Sequence, residues 1–463
     1  MKHIHISWLL GLIAALAVVV ALGARQQPSA PASQAPASQT PSQPQQPSEV
    51  ELVISGDPGS PPRYAVPDFV GGSGDAAESA KTVTEVLWAD LAFEREFYLI
   101  PRDTYSTVPA ARSAEQIPFQ SWRELGADAV VFGSVQTSGT NVTAQIRLFN
   151  VRTRQSVFSK EYTGTNPRLI AHTAADEIHQ QQRALKGVAR TKLAFSSDRN
   201  RESLAGPVKN RDVKEIYIAD YDGANQRRIT TTRDLNITPV WSPDARAIAY
   251  TSYRKIVPDI FVSLVYQGIL QNPTKGQGSN FLPIFSPDGK QMAFMSNRDG
   301  NPEIYVMSVD GSNVRRITNH PAGDASPTWS PSGTQLAFTS DRSGTPQIYI
   351  VSTDGSNLRR LTTSESYADR PTWSPAPRNE IAFAARSGPG FDIKVYDLAT
   401  GQTRQLTFGE GTNESPAYSP NGRHIAFTTT RYGRVQVATM TWDGRDVKQV
   451  TRDGNNWTPS WSN

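Results

Sequence analysis

The stretch Trp329-Ser330-Pro331-Ser332-Gly333-Thr334-Gln335-Leu336-Ala337-Phe338 decides the fold, because it is one copy of a unit that repeats from about residue 191 to residue 463. An aromatic-Ser-Pro element opens each copy, and a truncated Trp-Ser closes the chain. Its aromatic residues are Trp241, Phe285, Trp329, Trp373, Tyr418 and Trp461, at intervals of 44, 44, 44, 45 and 43 residues. A fixed period of this length is typical of a repeat architecture.

Each copy contains four short segments whose length and alternation suit strands. In the copy above, the trio Leu336-Ala337-Phe338 is followed by Ile348-Tyr349, by an Asp354-Gly355 turn and by Arg359-Arg360-Leu361-Thr362. Asp-Gly accepts positive φ and so favours tight hairpins. Four strands in about 44 residues predict one propeller blade. The copy from Ile260 to Gln277 has lost its Asp-Gly turn, and we expect its outer half to be irregular.

The two ends of the repeat region indicate how the ring closes. The region begins at a second strand, Leu193-Ala194-Phe195, and ends with a first strand, Trp457 to Trp461. We therefore predict a six-bladed β-propeller over residues 191–463 that the C-terminal strand closes, which leaves no free inner edge.

Residues 49–187 predict an N-terminal α/β domain, because short apolar runs alternate with amphipathic stretches. We expect strands at Val50–Ile54, Tyr64–Val70, Tyr98–Ile100, Ala129–Val135 and Thr143–Val151, and helices at Ala76–Phe97 and Pro167–Leu185.

Two segments precede this domain. Residues 1–24 carry an apolar run from Trp8 to Ala24 that ends in small residues, which indicates a signal peptide; an uncleaved anchor is the alternative. Residues 25–48 are rich in Pro, Gln and Ser and predict an extended linker.

Composition excludes several classes of protein. The 47 Lys and Arg nearly balance the 43 Asp and Glu, so the charge does not point to nucleic-acid binding. The chain has no cysteine, which excludes a disulfide, a thiolate metal site and a Cys nucleophile. We find no Gly-x-Ser-x-Gly elbow, His-Glu-x-x-His motif, Walker loop or dinucleotide fingerprint. We therefore expect no enzyme activity, no cofactor and no metal. His172 and His179 share a helix, but no third ligand lies near them in the sequence.

The chain resembles the TolB family, in which an α/β domain precedes a propeller. The residues that carry the resemblance are the aromatic-Ser-Pro repeats, Trp122–Gln136, Ala171–Ile178 and the junction Gly187–Phe195. The resemblance implies a periplasmic scaffold of the Tol-Pal system that binds a peptidoglycan-associated lipoprotein (Pal) at one propeller mouth and supports outer-membrane integrity and envelope constriction at division. We expect a monomer that is peripheral to the membrane.

The resemblance also implies contact with the inner-membrane protein TolA through an N-terminal segment. The matching residues are Glu49, Val50, Glu51, Leu52, Val53 and Ile54. In the family this segment lies close to the mature N-terminus, whereas a Pro-rich linker precedes it here.

Partner-binding residues are expected at a mouth of the ring, just before each inner strand, where they form a polar ring. The candidates are Asn236, Asn280, Asp324, Asp369, Arg370, Asn413, Glu414 and Asn456. Alternatively, Asn and Asp at such positions cap turns.

An Arg recurs after every apolar trio, as at Arg298 and Arg342, and it is interpreted as structural because it repeats in every blade. The Arg-Arg pairs of the outer strands are interpreted as solvated edge protection. A competing hypothesis is an envelope lyase or hydrolase that acts on sugars or peptides, which inward-pointing His320 or His424 with a metal would favour.

Overall fold

The computed structural model describes residues 60–202, 213–255 and 257–463. They fall within one compact unit, so the N-terminal domain and the propeller pack as a single body. Among these residues, no helix is both long and apolar enough to cross a bilayer. The predicted signal, the linker and Glu49–Ile54 lie outside the described residues.

The N-terminal domain is a mixed sheet with two long helices on one face. Its strands run in the order Tyr98–Leu99, Arg63–Ala65, Ala129–Ser138, Asn141–Asn150 and Ser156–Gly164, and Val70–Gly71 pairs with Ala129–Ser138. The helices are α1 (Asp75–Glu94), α2 (Phe119–Glu124) and α3 (Pro167–Arg183), with 3-10 turns at Arg102–Thr107 and Ala114–Gln116. The α/β prediction is confirmed.

Helices α1 and α3 cover the sheet because their apolar residues recur at helical spacing. Leu87, Leu91 and Ile178 are fully buried against Ile146 of the sheet. Asn166 begins α3 by accepting the backbone N–H groups of residues 168 and 169, and Pro167 occupies the first turn, where its missing N–H costs nothing.

Two details of this domain differ from the expectation. The predicted strand Tyr64–Val70 is two short strands, Arg63–Ala65 and Val70–Gly71, because Pro67 lies between them and cannot donate to a ladder. The strand Ser156–Gly164 was not predicted, since it lies at the sheet edge and most of its residues are exposed and polar.

The propeller has six four-stranded blades, which confirms the fold predicted from the repeats. Blade 1 contains Lys192–Ser197, Glu215–Asp220, Arg227–Arg228 and the closing strand Asn456–Trp461; blade 2 Asn236–Trp241, Ala247–Ser252, Asp259–Leu264 and Ile269–Gln271; blade 3 Asn280–Phe285, Gln291–Ser296, Glu303–Ser308 and Arg315–Arg316. Blade 4 contains Asp324–Trp329, Gln335–Ser340, Gln347–Ser352 and Arg359–Arg360; blade 5 Ala368–Trp373, Glu380–Ser387, Gly390–Asp397 and Thr403–Gln405; blade 6 Asn413–Tyr418, His424–Thr429, Gln436–Thr441 and Lys448–Gln449.

Both ends of the repeat region meet in blade 1. The strand Asn456–Trp461 pairs antiparallel with Lys192–Ser197, and Trp457 and Trp461 lie opposite Ser196 and Leu193. Hydrogen bonds therefore close the ring as predicted, and no blade keeps an open inner strand.

Each inner strand carries a proline and a bulge. In blade 4 the register with the second strand shifts between Ala325 and Thr328, and Ser326, just before Pro327, has a φ of 52°. A proline is tolerated here because the inner edge of the strand faces the channel and needs no ladder donor.

The antiparallel order of the strands gives the ring two faces. Inner strands start on one face, which we call the loop face. The hairpin turns that follow the first and third strands lie on the other, the turn face; Gly355 of the Asp354-Gly355 turn has a φ of 88°, as an Asp-Gly hairpin requires.

Candidate binding site at the loop face

Five of the eight predicted mouth residues are fully buried between blades. They are Asn236, Asn280, Asp324, Asn413 and Asn456. The Nδ2 of Asn236 donates to Glu215 at 3.0 Å and that of Asn280 to Asp259 at 3.0 Å, so each side chain joins its inner strand to the third strand of the preceding blade. At these five positions the polar side chains therefore lie inside the fold and not on the open surface of the mouth. A contact with a partner stays a prediction for all eight residues.

The recurring arginines hold the same framework together. Arg298 donates from Nε to Ser296 at 3.1 Å and from Nη2 to Asn280 at 3.1 Å, and its guanidinium lies 5.2 and 5.0 Å from the ring centroids of Phe294 and Tyr305. Arg199, Arg342 and Arg431 make equivalent bonds. Their structural interpretation agrees with these contacts.

The Arg-Arg pairs of the outer strands are not simply solvated. In blade 3 the second arginine, Arg316, turns inward and donates from Nη2 to Glu303 at 2.7 Å and from Nε to the Thr318 carbonyl at 2.8 Å. Only the first arginine, Arg315, points outward, and it reaches the Thr353 carbonyl of the next blade. The edge-protection interpretation therefore applies to one arginine of this pair.

The position of Asp324 departs from the pattern of its equivalents. Its Oδ2 accepts a bond from Arg342 at 2.6 Å, but its Oδ1 is buried without a hydrogen-bond partner among the described residues. Burial raises the pKa of Asp324, and hydrogen bonds from Ser340 and Arg342 offset only part of that shift. An ionised carboxylate at this position cannot supply the hydrogen-bond donor that asparagine supplies in four other blades.

The other three predicted residues, Asp369, Arg370 and Glu414, lie half-buried at the start of the inner strands of blades 5 and 6. Asp369 Oδ1 accepts from Thr339 Oγ1 at 2.8 Å and from the backbone N–H of Arg370 at 2.6 Å. Burial raises the pKa of Glu414, which Arg370 partly opposes and Asp369 reinforces. The structure thus brings these three charges into one electrostatic cluster, which we call the loop-face charge cluster.

A channel of about 470 Å³ runs between the inner strands. A proline from each blade lines it, and Arg370 is the one charged side chain among the described residues of its wall. The positions equivalent to Arg370 in the other blades are Thr238, Leu282, Ser326, Ser415 and Thr458. The cluster therefore breaks the sixfold repeat of the channel.

Sequence analysis missed the apolar part of the same mouth. The second residues of the inner strands of blades 1, 2 and 3 are Trp457, Ile237 and Phe281, all half-buried, and the Nζ of Lys214 lies 3.4 Å from the ring centroid of Trp457. Counting one residue beyond each Asn would have found them. The mouth thus combines an apolar arc with charges on the side of blades 5 and 6.

The N-terminal domain docks on the turn face of blades 1 and 6 through two carboxylates of α1. Asp90 accepts from Tyr221 Oη at 2.7 Å and pairs with His172 Nδ1 at 2.8 Å. Glu94 accepts from Asn421 Nδ2 at 3.0 Å and lies 3.4 Å from His424 Nε2. Burial alone would raise the pKa of Glu94, but His424, His179 and Arg423 lower it overall.

The histidines are used within the fold. His179 Nδ1 contacts the Ala175 carbonyl at 2.9 Å, His172 and His424 belong to the domain interface, and His320 accepts from the backbone N–H of Ala322 at 3.1 Å. Among the described residues, no group of three His, Cys, Asp or Glu is placed to hold a metal ion.

Two family models together match almost all of the folded chain. The TolB amino-terminal domain matches residues 50–157, and the TolB beta propeller domain matches residues 181–463.

Relatives and solved structures agree with these matches. The chain is 33% identical over 205 residues to the Tol-Pal system protein TolB of Desulfosudis oleivorans, covering 43% of this chain and 44% of that protein. It is 38% identical over 184 residues to the protein of the same name from Geobacter sulfurreducens, covering 39% of this chain and 40% of that protein. These alignments span less than half the length of the two relatives. The crystal structure of TolB from Acinetobacter baumannii matches with a TM-score of 0.73 at 28% identity, over 87% of this chain and 96% of that one.

Proposed function

Because this chain belongs to the TolB family, we propose that it is a non-enzymatic, periplasmic binding scaffold of a Tol-Pal-like system. In this proposal the loop-face mouth of the propeller binds a peptidoglycan-associated lipoprotein, and the segment Glu49–Ile54 contacts TolA. Such a scaffold links the outer membrane to the cell wall and contributes to membrane integrity and to constriction at division. It acts as a monomer that is peripheral to the membrane, needs no cofactor and binds no nucleic acid.

The observation that carries the proposal is the break of symmetry at the loop face. A residue that every blade needs recurs in every blade, whereas a partner meets the mouth from one orientation and selects particular blades. The loop-face charge cluster lies between blades 5 and 6, and the apolar arc of Ile237, Phe281 and Trp457 lies on blades 1 to 3. An apolar area beside a few charges is the usual composition of a protein interface.

The experiment measures binding of a purified, lipid-free Pal to the mature protein by isothermal calorimetry. The test variants are Arg370→Ser, which introduces the residue that blades 4 and 6 carry at the same backbone position, and Glu414→Ala. The control is Asp354→Asn on the turn face. We expect each test variant to weaken binding at least tenfold, which corresponds to about 1.4 kcal/mol, and the control to leave it unchanged. Equal affinities for all four proteins would contradict the proposed mouth.

The TolA contact is tested separately by capture from envelope extract. Removal of residues 49–54 is expected to abolish recovery of TolA while recovery of Pal persists. Loss of both partners, or of neither, would contradict the assignment of this segment.

A further inference from the structure

A groove of about 880 Å³ separates blades 2 and 3 on the side of the turn face. Its apolar floor includes Val262, Leu264, Phe285 and Val309, and the polar residues of its rim come from the hairpin turns of the two blades. The N-terminal domain contacts blades 1 and 6, so this groove lies away from the contacts that hold the two domains together.

Blade 2 lacks an arginine that blades 3 and 5 direct across the equivalent position. In blade 3, Arg315 reaches across to the Thr353 carbonyl of blade 4, and in blade 5, Arg404 Nη1 donates to the Trp442 carbonyl of blade 6 at 3.1 Å. Strand register places Gln271 at the equivalent position, since it lies opposite Val262 as Arg315 lies opposite Val306. The equivalent carbonyl, that of Val309, receives no guanidinium from blade 2.

The rim of the groove favours a cation. Asp244, Asp288 and Asp310 line it together with Arg246, and Lys290 and Lys275, which are not part of the lining, act electrostatically on Asp288 and Asp310. Each carboxylate uses Oδ1 to accept bonds within its own turn, from Ser242, Ser286 and Ser312 respectively, and no described residue donates to its Oδ2. These short bonds lower the pKa of all three carboxyl groups, so the three side chains stay ionised at neutral pH.

The strand beside the groove has an unprotected edge. The outer strand Ile269–Gln271 pairs on one side only, and it carries no charged residue where other blades carry arginine or lysine. Tyr266, Ile269 and Leu270 are 65%, 48% and 40% exposed. An open edge with exposed apolar side chains is suited to the addition of an extended peptide strand.

We propose that blade 2 is a second protein-binding surface, which takes an extended peptide segment of a partner along Ile269–Gln271 and places one of its arginine or lysine side chains in the groove. The partner's cation supplies the donor that blade 2 has lost, to the Val309 carbonyl and to the carboxylates of the rim. Its apolar neighbours pack on Tyr266 and Ile269. A second copy of this chain fits less well, because the outer strand of blade 2 would bring no cation to the acidic rim.

The test uses two fluorescein-labelled peptides of alternating Val and Thr, one with a central Arg and one with Gln in its place, and measures fluorescence anisotropy. We expect saturable binding of the Arg peptide to the full-length protein and at least fivefold weaker binding of the Gln peptide. Gln271→Arg, which restores the internal arginine, is expected to weaken binding of the Arg peptide at least tenfold without lowering the melting temperature. Asp310→Asn should also weaken it, whereas the matched turn variant Asp354→Asn of blade 4 should not.

Equal binding of the two peptides, no binding to the wild type, or unchanged binding to Gln271→Arg would overturn the proposal. Sedimentation that shows a wild-type dimer, lost in Gln271→Arg, would replace the partner with a second copy. Binding of Pal at the loop face should be unaffected in Gln271→Arg, so the two binding surfaces succeed or fail independently.

Discussion

Replacing Asp324 with asparagine should make the protein more stable at neutral pH, although it removes one member of an ion pair. At this position the other inner strands carry Asn236, Asn280, Asn413 and Asn456, whose Nδ2 atoms donate to a polar residue of the preceding blade at 3.0, 3.0, 3.1 and 3.0 Å. In the repeat, Glu303 occupies the position of that polar residue for blade 4, and the Oδ1 of Asp324 has no hydrogen-bond partner among the described residues. An amide restores a donor there.

The expected gain in the free energy of unfolding follows from the groups that the substitution changes. A buried acceptor without a partner costs about 1–3 kcal/mol, and a hydrogen bond to a charged group contributes a similar amount. Against these gains, the bond from Arg342 loses its charge assistance, yet Arg298 makes the same bond to an asparagine at 3.1 Å. We expect the free energy of unfolding to rise by about 2 kcal/mol at pH 7.5.

The gain should depend on pH in a defined direction. Because the pKa of Asp324 is raised in the folded state, its contribution to stability is full below its unfolded pKa of about 3.9 and is lost as the pH rises through the folded value. Urea unfolding of wild type and Asp324→Asn at pH 4.5, 6.0 and 7.5 measures this. The difference should be smallest at pH 4.5 and largest at pH 7.5.

The reverse substitution, Asn280→Asp, is the matched control. It places a carboxyl group opposite Asp259 and should create the same pH dependence between blades 2 and 3, with a loss of about 2 kcal/mol at pH 7.5. An Asp324→Asn protein that is no more stable than wild type at pH 7.5, or a gain equal at all three pH values, would refute the reasoning.

Three further outcomes concern closure, the domain interface and the outer strands. Deleting residues 456–463 uncovers Lys192–Ser197 and should lower the calorimetric melting temperature by roughly 10 °C or more; an unchanged transition would argue against closure by this strand. Glu94→Ala removes a buried carboxylate that pairs with Arg423 and accepts from Asn421 and from the backbone N–H of Val188, and it should cost about 3 kcal/mol in urea unfolding at pH 7. In the wild type this stabilisation is lost as the pH falls through the lowered pKa of Glu94, so the cost should shrink in acid. Arg316→Ala should cost about 2 kcal/mol because the buried carboxylate of Glu303 loses its charged donor. Its exposed neighbour Arg315→Ala should cost less than about 0.5 kcal/mol; equal losses would show that the two arginines are not oriented differently.

The sequence was sufficient for the ring because each blade repeats the same local chemistry. Five aromatic-Ser-Pro elements, six apolar trios and the Asp-Gly turns all specify strands at one period, so an ambiguous copy such as blade 2 is assigned from its neighbours. The strand Ser156–Gly164 has no such copies, and its exposed polar face leaves no alternation to detect.

The burial of the inner-strand asparagines was harder to predict, because a lone polar residue usually lies at the surface. For each of these asparagines, the hydrogen-bond acceptor that the fold provides offsets the cost of burial. A signal was nevertheless present: Glu215, Asp259 and Asp392 each precede an inner-strand asparagine by 21 residues. A polar pair that recurs at a fixed separation indicates a hydrogen bond between blades more strongly than it indicates a ring of binding residues at the mouth.

The effect of a residue that departs from the repeat therefore depends on whether its position is exposed to solvent. Asp324 departs at a fully buried position, so its effect falls on stability and on the pH dependence of stability. Arg370 departs on the wall of the channel, and Gln271 departs on the outer strand beside an open groove. Both of these change what the surface presents to another molecule. They lie on different blades and at different depths of the ring, which is why a variant at one should leave binding at the other intact.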